Sequence, residues 1–323
     1  MQLSGELFKP LNKKNTNTEE VVRPSLTYWQ DVWRRFKKNK VAMVSLGVVI
    51  LLFLIAALGP MFSSYSYSDQ VKGQEGLWPS WEHPMGTDTL GRDMLVRVMY
   101  GARISLSIGV VACLINLTIG VLYGGISGYF GGKIDTVMMR IIDILYSIPL
   151  MLYVILIMVV LKDQINNWFE LPFLSMFKTA GAGLISIYIA IGITYWMTMA
   201  RIVRGQILSL KEQEYVTAAR TLGAGNFRIL LRHLIPNCIG PIIVTTMLLI
   251  PEAIFTESFL SFVGLGVDAP MASWGSLASD GLSGIRSYFY LLLFPSLAIS
   301  VTILAFNLLG DGLRDAMDPR MRK

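Results

Sequence analysis

Charge, histidine and cysteine are all scarce in this sequence. Only 15% of the 323 residues are charged, whereas an ordinary soluble protein has roughly a quarter. The two histidines, His83 and His233, fall on opposite sides of the membrane spans predicted below, so they cannot share a metal site or a catalytic triad. The two cysteines, Cys113 and Cys238, have neither a disulfide framework nor metal-ligand spacing. We therefore expect packing cysteines, no metal and no catalytic residue.

Nucleotide-binding motifs are lacking as well. The run 127–134 (SGYFGGKI) imitates a phosphate loop, but it lacks the first glycine and has Ile134 where a magnesium-binding Ser or Thr is needed. The run 264–269 (GLGVDA) imitates a dinucleotide fingerprint, but Pro270 follows at once and no βαβ unit surrounds it. We expect no cofactor to bind this chain.

Long hydrophobic runs are abundant. Hydrophobic residues make up 53% of the chain, and they cluster into segments of about 20 residues, the length that crosses a hydrocarbon core. The sequence predicts an all-α, polytopic membrane protein with six transmembrane helices. The predicted spans are 41–62, 104–130, 141–161, 180–200, 239–262 and 288–310. Pro251-Glu252 interrupts the fifth, so we expect that span to be followed by a separate short helix.

The distribution of Lys and Arg predicts the orientation. Of the 28 basic residues, 21 lie in 1–40, 131–140, 201–238 and 311–323, and five lie in the alternate loops. Because basic loops stay in the cytoplasm, both termini are expected there. The expected organisation is a cytoplasmic tail with an amphipathic segment (1–40), a first transmembrane helix (41–62), an extracytoplasmic loop (63–102), a five-helix core (103–310) that includes a cytoplasmic loop (211–236), and a cytoplasmic tail (311–323). The first 40 residues are polar, so the first span is expected to remain as the insertion signal.

Two further patterns lie within the spans. Gly120, Gly124, Gly128 and Gly132 recur at every fourth residue, which predicts a stripe where another helix backbone approaches closely; a pore-lining stripe is the alternative. Glu252 and Glu257 are ionisable groups inside the fifth span, where charge is costly and usually functional. A break at Pro251 would place both carboxylates at the outer mouth of a cavity, whereas a proton-coupled transporter would need them near the midplane.

The stretch 214–237 (EYVTAARTLGAGNFRILLRHLIPN) is a charged segment between two apolar runs. Residues 211–222 contain good helix formers, and Gly223 stands where a helix ends in a left-handed residue. Asn226 is expected to cap a second helix, 227–234. Ala218 and Ala219 would present a small, smooth docking surface. Such helix–turn–helix order is more than a connecting loop needs, so we expect this segment to contact a partner in the aqueous phase.

The same segment resembles the "EAA" loop of ABC-importer permeases. The match consists of Thr217-Ala218-Ala219, then Gly223, then His233-Leu234-Ile235-Pro236. Thr217 replaces the first family Glu and His233 replaces a hydrophobic residue, as in the peptide branch of the family. The resemblance implies that this loop sits in a cleft of an ATPase subunit. The residues that it assigns to ATPase coupling are Glu214, Tyr215, Thr217, Ala218, Ala219, Arg220, Gly223 and Pro236.

The rest of the chain, from about residue 30 to 322, resembles the C-type subunit of oligopeptide/dipeptide permeases. The matching runs are 83–93 (HPMGTDTLGRD), 101–105 (GARIS), 128–132 (GYFGG), 139–143 (MRIID), 257–266 (ESFLSFVGLG), 273–275 (SWG) and 306–320 (FNLLGDGLRDAMDPR). The resemblance implies a non-catalytic permease of the type I ABC-importer fold in the bacterial cytoplasmic membrane. It implies as partners a second permease, two ATPases that bind ATP and Mg, an extracytoplasmic binding protein and a peptide substrate, with no nucleic acid.

Three residues near the outer end of the fifth span, Glu257, Ser258 and Phe262, are the candidates for an extracytoplasmic gate. Two alternatives to a peptide importer stay open at this stage. One is a permease of the same family for nickel or another small solute, because such permeases share much of the pattern. The other, from a different class, is a proton-coupled secondary transporter that uses Glu252 and Glu257. A channel is disfavoured, since no selectivity ring or filter-like loop can be identified.

Overall fold

A computed structural model describes residues 27–171, 178 and 180–318. Parts of the predicted tails, 1–26 and 319–323, lie outside the described residues. The described part is helical apart from turns and one isolated bridge between Thr87 and Asp93. Its α-helices are α1 (Tyr28–Lys38), α2 (Lys40–Leu58), α3 (Met94–Ile115), α4 (Val121–Phe130), α5 (Gly132–Tyr146), α6 (Leu150–Trp168), α7 (Ala182–Thr194), α8 (Trp196–Leu210), α9 (Glu214–Thr221), α10 (Asn226–Ile229), α11 (Ile239–Phe262), α12 (Trp274–Ser283) and α13 (Tyr290–Met317).

Five stretches of these helices are long and apolar enough to cross a membrane, and a bent pair adds a sixth if it is counted as one span. The five are Lys40–Met61, Met94–Phe130, Ala182–Leu210, Asn226–Phe262 and Tyr290–Met317. The predicted third span, 141–161, is instead divided between α5 and α6, which meet at 84°. Pro149 precedes α6, and because a proline disfavours helical geometry in the residue before it, the chain bends there.

The predicted break in the fifth span is wrong. The helix α11 runs without interruption from Ile239 to Phe262, with Pro251 inside it. Proline removes one backbone hydrogen bond, but Pro251 is buried among neighbouring helices, and such packing holds a proline-containing membrane helix together. Glu252 and Glu257 therefore lie on a continuous helix. A second proline, Pro295, lies inside α13 in the same way.

The two sides of the helix bundle differ in what covers them. On one side, here called the α1 side, helix α1 packs against the end of α13, and Arg35 Nη1 donates to the backbone oxygen of Asp318 over 3.4 Å. The loop between α8 and α11 lies on this side too. On the other side, here called the α12 side, the long loop before α3 covers the start of α13. There Tyr290 Oη lies 2.8 and 2.9 Å from the backbone oxygens of Leu77 and Thr87, either of which can accept its hydrogen bond.

The glycine stripe of the second span is a close contact between two helix backbones. A Cβ atom added at Gly124 would lie 2.3 Å from the carbonyl oxygen of Ala200 on α8. A Cβ at Gly120 would lie 2.9 Å from the oxygen of Trp196, and one at Gly128 would meet α8 again at 2.9 Å. The packing interpretation is confirmed for these three glycines, and the pore-lining alternative is wrong for them. Gly132 lies beyond the contact, at the start of α5.

Replacing Gly124 with alanine should destabilise the protein by about 1–3 kcal/mol, because the added methyl group must push α4 and α8 apart. Gly205 provides the matched control. It lies on α8 with nothing within 4 Å of the position a Cβ would take, so Gly205→Ala should be neutral or slightly stabilising. Thermal unfolding of the two variants in detergent measures the difference. Equal melting temperatures would contradict the close-packing account.

Candidate functional site

The loop between α8 and α11 folds into a compact element whose inner face is apolar. Val216 of α9 and Ile229, Leu230 and Leu234 of the following segment are all buried. They pack in one cluster with side chains of α4 and α8. The segment after α10 continues as a π turn over Leu230–Leu234 and a 3-10 turn over Ile235–Cys238 before α11 begins. Residues 211–236, which we call the coupling element, are thus anchored by burial rather than suspended as a free loop.

The end of α9 matches the sequence prediction closely. Gly223 has φ +83°, the left-handed conformation that glycine adopts without strain. Its N–H donates to the oxygen of Arg220, and the N–H of Ala224 donates to the oxygen of Ala219, both over 3.0 Å. This pair of bonds is a Schellman motif, which satisfies carbonyl groups that the helix end leaves free. The helix itself starts later than predicted, at Glu214, because residues 211–213 form a turn.

The prediction that Asn226 caps α10 is wrong. Gly225 occupies the cap position, and Asn226 is the first residue of the helix. Its side-chain oxygen accepts a hydrogen bond of 2.9 Å from the hydroxyl of Tyr129 on α4. The asparagine therefore fastens the coupling element to the second span instead of closing its own helix.

Charged side chains add a second attachment at the base of the coupling element. Arg204 of α8 donates through Nε and Nη2 to the two carboxylate oxygens of Asp135 on α5, over 2.6 and 2.5 Å. Ser127 of α4 donates to the same carboxylate over 2.5 Å. Lys211 Nζ donates to the backbone oxygen of Gly128 over 3.0 Å. A bidentate Arg–carboxylate pair fixes both distance and angle, so α4, α5 and α8 are held at one relative orientation here.

The outer face of the coupling element exposes the predicted docking residues together with apolar side chains. Leu222 is 88% exposed and Phe227 is 63% exposed, and neither was singled out from the sequence. In the sequence, Leu222 could have been recognised as an apolar residue directly before the glycine of an otherwise polar turn. Ala219 differs from the expectation, because it is only partly exposed and packs against the buried cluster. The remaining predicted coupling residues are exposed: Glu214, Tyr215, Thr217, Ala218, Arg220, Gly223 and Pro236.

Of the three predicted gate residues, two are buried and one is partly exposed. Glu257 is fully buried, and its carboxylate accepts hydrogen bonds from Ser105 of α3 over 2.8 Å and from Ser261 over 2.7 Å. Ser258 is also buried, and its backbone oxygen lies against Gly275 of α12. Phe262 is 37% exposed at the end of α11. Glu257 therefore sits in a polar contact between α11 and α3, with the start of α12 packed beside it.

The α12 side is braced by buried ion pairs. Asp88 accepts from Arg92 Nε over 2.6 Å, from the backbone N–H of Leu90 over 2.8 Å and from the side chain of Arg97. Burial alone would raise the pKa of Asp88, but the backbone N–H of Arg92 and the charge of Arg97 outweigh it and lower the pKa, so the carboxylate stays ionised at neutral pH. His83 is buried, and its Nδ1 lies 2.8 Å from a carboxylate oxygen of Asp93, within hydrogen-bonding distance.

Three spans are irregular at a similar depth. The second span has a π turn at Asn116–Gly120, the fourth breaks at Tyr195 and the fifth contains Pro251. At 1.5 Å per residue, these points lie about 15–23 Å from the α1-side ends of their helices. The irregular points of the fourth and fifth spans also touch, since Tyr195 Oη donates to the backbone oxygen of Glu252 over 3.2 Å. Irregular helix segments at one level are places where a bundle can bend.

The described residues form a helical bundle of five or six membrane-length spans with an anchored loop element whose outer face is exposed, an architecture that suits a membrane transport permease. Residues 120–323 match the family model of the binding-protein-dependent transport system inner membrane component. Residues 27–79 match the N-terminal TM domain of oligopeptide transport permease C.

Several known proteins match this chain over nearly its whole length. The dipeptide transport system permease protein of Bacillus subtilis is 50% identical over 323 residues, covering 100% of this chain and 95% of that protein. The oligopeptide transport system permease protein of the same organism is 49% identical, covering 98% of each. The corresponding Escherichia coli protein is 44% identical, covering 97% of this chain and 99% of its own length.

The chain therefore belongs to the binding-protein-dependent transport system inner membrane component family. The resemblance to C-type oligopeptide/dipeptide permeases is confirmed, as are the all-α polytopic fold and the assignment to a permease rather than an enzyme. The roles of the individual coupling and gate residues stay predictions.

Replacing Gly223 with alanine should destabilise the coupling element by about 1–2 kcal/mol, because a Cβ is disfavoured in the left-handed conformation. Gly225→Ala is the matched control: both glycines have open space around the Cβ position, but Gly225 has φ −68°. Hydrogen exchange measures this effect. The amides of residues 214–222 should exchange faster in Gly223→Ala and at the unmodified protein's rate in Gly225→Ala. Identical exchange in both variants would show that the turn does not depend on glycine.

Proposed function

We propose that this chain is one of two permease subunits of an ATP-driven importer of oligopeptides or dipeptides in the bacterial cytoplasmic membrane. The observation that carries the proposal is the exposed apolar face around Leu222 on an element that is otherwise firmly anchored. The names of the relatives, dipeptide and oligopeptide transport system permease proteins, support a peptide substrate. They favour peptide over nickel or another small solute.

The proposed partners follow from the two sides of the bundle. The basic α1 side faces the cytoplasm, with both chain termini there. Of the two ATPase subunits, which bind ATP and Mg, one contacts the coupling element on that side, and we expect no cofactor to bind this chain itself. A second permease completes the translocation path within the bilayer. The braced loop before α3 and the region of α12 receive an extracytoplasmic binding protein loaded with peptide.

The mechanism is a rotation of the α1-side half of the bundle against the α12-side half. The coupling element is tied to α4 by Tyr129 and Lys211, and α4 is tied to α5 and α8 around Asp135. A push from the ATPases on the coupling element is therefore passed to all three helices together. The π turn before α4, the break at Tyr195 before α8 and Pro251 inside α11 allow the second, fourth and fifth spans to bend between the two halves. ATP drives the change because the ATPases bind one state of the permease better than the other.

The hydrogen bonds of Glu257 favour a structural role for its side chain over proton coupling. Its carboxylate accepts hydrogen bonds from serine hydroxyl groups of its own helix and of α3. Glu252 is exposed on α11, and its backbone oxygen is engaged by Tyr195. We assign Glu257 to holding the outer ends of α3 and α11 together, next to the proposed gate at Ser258 and Phe262.

Replacing Leu222 with glutamine should weaken association with the ATPase subunits by about tenfold or more, as loss of an apolar anchor does at other interfaces. The side chain is 88% exposed, so the fold should not change. Leu90→Gln, at a 46% exposed leucine on the α12 side, is the matched control and should leave association unchanged. Co-purification of ATPase subunits with each variant measures the effect. Full ATPase association by the Leu222 variant would sink the docking assignment.

Replacing Glu257 with glutamine should leave ATP-driven peptide uptake close to normal, because the amide can keep hydrogen bonds to the surrounding serines. Replacing it with leucine should lower the melting temperature, since buried hydroxyl groups would lose their acceptor. Uptake of a labelled di- and oligopeptide series in a deletion strain, with and without a protonophore, measures both. Loss of uptake in a well-folded Glu257→Gln variant, together with dependence on the proton gradient, would support the secondary-transporter alternative instead.

A further inference from the structure

An apolar groove runs along the bundle between α2 and α3 and reaches helix α1. It encloses about 400 Å³ and is lined by side chains of α1, α2, α3, α11 and α13. Every lining residue is apolar, including Phe53, Val110 and Phe306. Water is not stabilised in such a space, because no hydrogen-bonding partner lines it. The groove lies alongside the spans, so hydrocarbon is its natural occupant.

One end of the groove meets a group of cations. Trp33 of α1 lines this end, and Lys37 Nζ lies 5.0 Å from the centre of its ring, a cation–π contact. Lys38 and Lys40 are exposed nearby on the same short stretch of chain. The groove thus has an apolar body and a positively charged mouth.

These lysines differ from the arginines beside them. Arg34 and Arg35 both form ion pairs with Asp31, whose single negative charge offsets one of their two positive charges. Among the described residues, no carboxylate forms an ion pair with Lys37, Lys38 or Lys40. Three ammonium groups are therefore available to a ligand at the mouth of the groove.

We propose that this groove is a binding site for an anionic phospholipid. One acyl chain lies in the groove against α2 and α3, and the phosphate-bearing headgroup contacts Lys37, Lys38 and Lys40. The amphipathic helix α1, with Val32 and Phe36 buried and its basic residues outside, lies where a headgroup layer would be. The lysines select the charge of the lipid, and the groove selects a hydrocarbon chain over a soluble anion.

The test uses the full chain purified in detergent with vesicle lipids of two compositions, phosphatidylcholine alone and phosphatidylcholine mixed with phosphatidylglycerol. Mass spectrometry of the lipid that stays bound, together with thermal unfolding, provides the readout. We expect phosphatidylglycerol to be retained preferentially and to raise the melting temperature. Glycerol 3-phosphate, a soluble phosphate without an acyl chain, should do neither. Equal retention of both lipids, or protection by the soluble phosphate, would overturn the proposal.

Two kinds of variant locate the site. Replacing Lys37, Lys38 and Lys40 with glutamine should lower the preference for phosphatidylglycerol by about fivefold per charge removed, whereas replacing the exposed Arg228 and Arg232 should not change it. Retained selectivity in the lysine variants would contradict the proposal.

The second variant fills the groove. Val110→Phe places a larger side chain into it from a position that is already 41% exposed, so the core is not strained. It should reduce retention of both lipids. Val159→Phe, at a 55% exposed position on α6, is the matched control. Unchanged retention in Val110→Phe would place the lipid elsewhere. Loss of the retained lipid when a partner permease assembles would show the groove to be a subunit interface, which would also overturn the proposal.

Discussion

The close approach of the α4 and α8 backbones is the constraint on which the α1-side half of this protein depends. Gly124 faces the carbonyl oxygen of Ala200 at a distance that leaves no room for a side chain. Without strong hydrophobic driving force between helices in lipid, such contacts are a main source of association. Because α8 leads directly into the coupling element, this contact determines where that element sits. The hydrogen bonds of Arg204, Lys211 and Asn226 then fix its orientation.

The two halves of the bundle are built differently, and the difference suits a transport cycle. The α1-side half is joined by glycine contacts and by ion pairs near the aqueous phase. The α12-side half is joined by buried polar contacts, with Glu257 linking α11 to α3 and Asp88 linking Arg92 to Arg97. Between them lie the π turn, the break at Tyr195 and Pro251. A bundle with two stiff halves and irregular helices between them can exchange two arrangements without unfolding either half.

Much of this fold could be predicted because membrane helices are determined largely by local composition. Apolar length gave most of the spans, the spacing of Gly120, Gly124 and Gly128 predicted a close contact, and Gly223 predicted a left-handed helix end. The predictions that were wrong depended on contacts between helices, which the sequence alone does not show. Pro251 looked like a break, but burial keeps α11 continuous.

The site residues that the sequence did not reveal are those whose role depends on what lies opposite. Asn226 is a residue type typical of helix caps, but Gly225 occupies the cap position and the Asn226 side chain accepts a hydrogen bond from Tyr129. Leu222 is an ordinary apolar residue in the sequence and becomes notable only because it is 88% exposed. The gate role of Glu257 stays a prediction, but its hydrogen bond from Ser105 could not be inferred from the sequence, because α3 lies far away in the chain.

The central claim is that the coupling element moves as one body with α4 and α5 when ATP is consumed. Spin labels at Arg232 and Lys133, both exposed, measure a distance within that body, and labels at Arg232 and Trp81 measure a distance between the two halves. In the assembled transporter, pulsed electron resonance with and without nucleotide compares them. The account predicts that the first distance stays constant while the second changes. A change in the first distance with the second constant would show that the coupling element moves alone, and would contradict it.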